Sequence, residues 1–177
     1  MLIAAPACGY DDLILPKVDF SATVIHQSGN IQSKEIIYYK QGRLRIERGR
    51  DLSTTILDLT TQSQYILMAN RTYLVLPMDD ELFRRFIART VQTTGARRMG
   101  TERIDGLATT KYAFGDDGAL KAAGFYWLSD AGIMVRRDYE DGILGRSVKH
   151  RQRLTDISIK QQPPHLFGIP AGYRLAK

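Results

Sequence analysis

Apolar and polar residues alternate along most of this chain. Val18, Phe20, Ala22 and Val24 share one face of a segment whose other face carries Asp19, Ser21 and Thr23. That period of two predicts a half-buried strand. Further strands are predicted over Lys34–Lys40, Leu44–Glu47, Ser53–Leu59, Gln64–Ala69 and Thr72–Leu76. Short turn signals separate them: Ser28-Gly29-Asn30, Gln41-Gly42 and Asn70-Arg71. Pro77 ends this first sheet of about six strands, because proline cannot donate to a ladder. A second group follows at Arg98–Ile104, Leu107–Phe114, Gly124–Leu128, Ile133–Tyr139 and about Gly145–Ile159. Asp105-Gly106, Asp117-Gly118 and Asp141-Gly142 punctuate this group. Asp-Gly suits type I′ hairpin turns, whose two central residues both need positive φ. So many reversals predict an antiparallel meander.

One segment departs from period two. Leu82, Phe83, Phe86, Ile87 and Val91 recur at helical spacing after Asp79 and Asp80, which complement a helix dipole. A single amphipathic helix is predicted over Asp79–Val91, ending near Gly95. A short helical turn is expected within 116–123, and the tail Leu166–Tyr173 reads as a closing clip.

Several strands are apolar on both faces, as in Ile36-Ile37-Tyr38-Tyr39, Tyr65-Ile66-Leu67-Met68 and Phe125-Tyr126-Trp127-Leu128. A lone antiparallel sheet usually leaves one face wet. Either the sheet curls over a filled core, or it leaves an apolar groove. Tyr38, Tyr65, Met68, Phe83, Phe86 and Trp127 are the candidate groove residues.

The chain has 177 residues, enough for one domain over 13–177. Net charge is +6. Arg43 and Arg45, with Arg85, could form a basic rim toward anionic headgroups; a solvated face explains them as simply. No nucleic-acid motif accompanies the arginines, so no nucleic-acid partner is expected. His26, His150 and His165 are far apart and lack ligand spacing, and no metal or cofactor is expected. Nucleophile-elbow and phosphate-loop motifs are missing, so the chain reads as a non-enzyme. The lone Cys8 follows Ala5-Pro6-Ala7, which fits a signal-peptidase site. Residues 1–12 therefore read as an export-signal remnant or flexible leader. Cys8 would anchor the chain to a membrane only as a lipobox cysteine.

Four segments carry a family resemblance: Tyr38-Tyr39-Lys40-Gln41-Gly42-Arg43-Leu44-Arg45-Ile46-Glu47; Tyr73-Leu74-Val75-Leu76-Pro77; Gly100-Thr101-Glu102-Arg103-Ile104-Asp105-Gly106 with Thr110-Lys111-Tyr112; and Leu166-Phe167-Gly168-Ile169-Pro170-Ala171-Gly172-Tyr173. In this order they resemble the outer-membrane lipoprotein carrier (LolA/LolB-like) superfamily, including periplasmic relatives of unassigned function. The resemblance implies a mainly β (α+β) fold: a curved antiparallel sheet forming a half-barrel, with an amphipathic helix packed on its concave side. It implies a periplasmic carrier for a lipid, a lipoprotein acyl chain or another hydrophobic ligand. Peripheral contact with a membrane is a further expectation, from the basic rim. The alternative is a cell-envelope protein-interaction module or sensor domain without a lipid ligand.

Overall fold

The computed structural model describes residues 12–49, 53–115, 122–143 and 146–176. The expected leader up to residue 11, Cys8, Asp117-Gly118 and most of the 116–123 turn lie outside the described residues.

The chain is mainly β. Its strands are β1 (Leu13–Ile14), β2 (Phe20–Ser28), β3 (Ile31–Lys40), β4 (Arg43–Glu47), β5 (Thr54–Asp58), β6 (Ser63–Leu67) and β7 (Thr72–Pro77). After a helical turn, α1 (Asp80–Arg84), come β8 (Ala88–Arg89), a second turn, α2 (Val91–Thr94), then β9 (Arg97–Ile104) and β10 (Leu107–Phe114). The remainder is β11 (Ala122–Ser129), β12 (Met134–Ile143), β13 (Arg146–Ile159) and β14 (Arg174–Leu175), with a 3₁₀ turn at Pro164–Phe167.

The two expected groups of strands form one sheet. Its 12 strands run in the order β14-β7-β6-β5-β4-β3-β2-β13-β12-β11-β10-β9. β2 and β13 join the groups by an antiparallel ladder from Phe20↔Ile159 to Ser28↔His150. All ladders are antiparallel except β14 with β7. The sheet is open, ending at β14 and β9.

Two turns adopt the geometry their residues dictate. Gln41 and Gly42 have φ of 45° and 79°, and Asp105 and Gly106 have 47° and 82°. Asp141-Gly142 is different: it lies inside β12, paired with Val148 and Ser147. The ladder runs on past both residues to Ile143↔Arg146, so strand pairing overrides the turn signal here.

The predicted single helix is also corrected. Asp79 caps α1 by accepting the Leu82 N–H, yet α1 ends at Arg84. Ala88 and Arg89 are extended and pair with Ile14 and Leu13. The Thr90 N–H then donates to the Asp12 carbonyl at 2.6 Å, and the Asp12 carboxylate holds Arg84 at 3.1 Å and Arg89 at 3.7 Å. A ladder to the distant β1 thus replaces the middle of the helix. Gly95 does end α2, in the left-handed conformation at φ 58°.

The main core lies on one face of β2–β5. Phe20, Ala22, Val24, Ile37, Tyr39, Leu44, Ile46 and Leu57 are buried there with Phe83, Phe86 and Ile87. The register explains the shared face: Phe20↔Tyr39↔Leu44↔Leu57 and Ala22↔Ile37↔Ile46 are directly opposed residues. Tyr39 stacks on Phe20, and its hydroxyl accepts the buried Gly42 N–H at 3.0 Å, tying the hairpin turn to the core.

Candidate functional site

The opposite face of the same strands carries a partly apolar hollow. Ile36↔Glu47↔Thr54↔Leu67 form one row across four strands, and Tyr38↔Arg45↔Ile56↔Tyr65↔Val75 form the next across five. The first row, with Lys34, Met68, Ala69 and Tyr173, surrounds an open groove of about 550 Å³. Ile36 is 40% exposed there.

A strap made by the chain's last residues closes over the second row. It starts where the Gln162 N–H donates to the Asp19 carboxylate at 3.1 Å. The Leu166 carbonyl accepts from Arg45 Nη1 at 2.9 Å, Phe167 is buried, and β14 pairs with β7. Ile56 faces away from the core yet is only 1% exposed, as cover by this strap requires. The tail is therefore a clip, and it places Tyr173 on the groove's border.

The face covered by α1, β8 and α2 is filled. Phe83 is wholly buried and Phe86 is nearly so. A second cluster packs Ala88, Ala96, Tyr126 and Met134 beside Tyr112 and Phe114. Between the two turns and β10–β12 there remains a hollow of about 60 Å³. That is room for a few water-sized groups, not for an acyl chain. Burial, with neighbouring Tyr112, pushes the Tyr126 phenol up to about 12.

The six candidate groove residues therefore do not meet. Phe83 and Phe86 belong to the core. Tyr38 and Tyr65 lie in the strap-covered row on the opposite face. Met68 borders the open groove. Trp127, adjacent to Tyr126 in β11, points away from the second cluster; Lys111 and Arg136 lie over its ring at 4.9 and 4.5 Å, and its Nε1–H donates to Glu102. Alternation predicts two-faced strands, but it leaves open which apolar face a distant segment covers.

The basic rim disperses too. Arg43 pairs with Asp58 at 3.0 Å and Arg45 with Glu47 at 2.7 Å, whereas Arg85 reaches Glu35 at 3.9 Å on the core side. Arg48 also pairs with Glu35, at 3.0 Å. Arg43, Arg45, Arg48 and Arg85 thus each answer a carboxylate of the same chain.

One grouping escaped the sequence reading. His26 and His150, far apart in the sequence, stack at 6.0 Å, and Tyr139 stacks on His150 at 4.7 Å. Burial lowers the His26 imidazole below its ordinary value; Arg85 and His150 reinforce this and Glu35 opposes it. Only the β2–β13 register brings these rings together, and no local spacing signals it.

No family model matches this chain, and no curated protein sequence matches it. Solved structures do resemble it in fold. An uncharacterized conserved protein from Thermus thermophilus superposes with a TM-score of 0.58 at 12% identity, covering 90% of each chain. MucB, in its complex with MucA(peri), gives 0.55 at 15% identity over 92% of this chain and 58% of MucB. The present chain thus spans a little over half of MucB. LprF from Mycobacterium bovis gives a weaker 0.40 at 14% identity, covering 89% of this chain and 91% of LprF. At these identities the first two likenesses establish a shared fold.

Proposed function

We propose that this protein is a non-enzymatic binding module of the periplasm that holds an apolar chain, such as a lipid or lipoprotein acyl group, in the groove over β3–β6. The observation that carries the reading is the groove itself. About 550 Å³ lies within the range of ligand sites, and Ile36, Leu67 and Met68 give it an apolar floor. Methionine adapts its shape to unlike ligands. Lys34 at the border supplies a cation for an anionic headgroup. The export-like leader and the lipoprotein-carrier resemblance agree with this setting. So does the half-barrel curvature which that resemblance implies. The ligand face is the one opposite α1, because the side beneath α1 is already packed.

cis-Parinaric acid tests the proposal. Its fluorescence should rise on binding to the wild-type protein. Ile36→Glu and Met68→Glu should each weaken binding at least about tenfold, since a carboxylate placed on the floor must be desolvated by the chain. Both sites are partly exposed, so thermal melts should stay near wild type. Absence of binding, or equal binding by both variants, would overturn the assignment.

A further inference from the structure

The two ends of the sheet are unlike. At one end β14, only two residues long, covers part of β7. At the other, β9 runs for eight residues and, among the described residues, pairs only with β10. The Asp105-Gly106 turn makes Ile104↔Leu107 the first bonded pair, and Glu102↔Thr109 the next. Thr101 and Arg103 therefore direct their amides and carbonyls outward. Among the described residues, no backbone group meets them.

The side chains along this edge carry a second signal. Arg97, Arg98 and Arg103 are exposed. None of the three has a carboxylate partner among the described residues; Arg103 bonds only the Gly106 carbonyl of its own turn. By contrast, Arg43, Arg45, Arg84 and Arg85 pair with Asp58, Glu47, Asp12 and Glu35, respectively. Glu102, the one acid in β9, is engaged by Trp127. At about 3.3 Å per residue, Arg97 and Arg103 stand roughly 20 Å apart along the strand. The edge thus combines a row of open main-chain groups with positive charge at both ends. Three guanidiniums on each copy would repel one another in a pair of β9 strands, whereas an acidic strand would attract them.

We propose that β9 is a docking edge for an extended acidic segment of a partner protein, which adds a strand to the sheet. Main-chain bonds at Thr101 and Arg103 supply the pairing, and the three guanidiniums select acidic side chains on the incoming strand. This edge is separate from the groove over β3–β6, and the two can be tested apart.

The probe is a synthetic strand-forming peptide of alternating valine and glutamate, compared with the same composition interrupted by prolines. The full chain should bind the first at least about tenfold more tightly, with affinity falling as salt rises. Hydrogen exchange at the Thr101 and Arg103 amides should slow on binding. Thr101→Pro removes an outward donor without changing charge, and the double variant Arg98→Glu with Arg103→Glu reverses charge at exposed positions. Each should weaken binding at least about tenfold while thermal melts hold. Equal binding of the proline peptide, unchanged exchange at both amides, or retention of affinity in Thr101→Pro would overturn strand addition. Equal affinity in the charge-reversed variant would overturn the acidic partner. Concentration-dependent pairing of two copies through the same amides would replace it with self-association.

Discussion

Phe83→Ala separates a filled core from a ligand hollow. Phe83 is 0% exposed and packs with Phe20, Ile37, Leu44 and Phe86. A phenylalanine buries about 150–250 Å². At about 25 cal/mol per Å² that gives roughly 4–6 kcal/mol, of which the alanine methyl retains a part. Truncations of this kind cost about 3–5 kcal/mol once the cavity left behind is included. Single domains have only about 5–15 kcal/mol to lose. For a chain of this length each kcal/mol moves Tm by about 2–4 °C, so a fall of about 6–20 °C is expected. Urea titration followed by circular dichroism gives the free-energy change directly, and parinarate binding is measured on the same samples below the transition. The core reading requires the stability loss with little change in affinity of the fraction that stays folded. A loss below about 1 kcal/mol together with abolished binding would show that Phe83 lines a ligand site, and the reasoning that placed the groove on the other face would fail.

Two further outcomes follow from single contacts. Tyr39→Phe leaves the buried Gly42 N–H without its acceptor and should cost about 1–3 kcal/mol in urea unfolding; a change under about 0.5 kcal/mol would mean that water replaces the hydroxyl. His26, which burial and then Arg85 and His150 hold below its ordinary value of 6.5, stabilises the fold fully above that pH. This contribution should disappear as pH falls from 6.5 toward the lower folded value. The stability of His26→Gln should therefore vary less with pH over that window, and an unchanged slope would remove His26 from the acid response.

The local code of this chain is easy to read where one short segment decides the outcome. Gln41-Gly42 and Asp105-Gly106 need positive φ at two successive residues, and their hairpins form as predicted. The apolar faces of β2–β6 follow from alternation alone. The sequence stops being legible where distant segments compete. Leu82 to Val91 has helical spacing, but Leu13 and Ile14 capture Ala88 and Arg89 into a ladder. Tyr38 and Phe86 look alike as apolar aromatics, yet one lies on the strap side and the other in the core. Ile56 looks like a second-face residue awaiting a ligand, and the chain's own tail covers it. Which surface stays open thus depends on residues more than a hundred positions away.

The β2–β13 ladder sets an order of assembly. From β2 to β7 and from β9 to β13 each strand pairs with its neighbour in sequence, so both meanders close by local hairpins. The ladder that welds them pairs Ser28 with His150, about 120 residues on. Closing so long a loop costs only about 4 kcal/mol in chain entropy, because the cost grows as the logarithm of length. Time is the larger constraint. At roughly 5–20 residues per second, His150 leaves the ribosome some 6–25 seconds after Ser28. Throughout that interval β2, a central strand of the finished sheet, is a bare edge, the last central strand of its meander to gain a second neighbour.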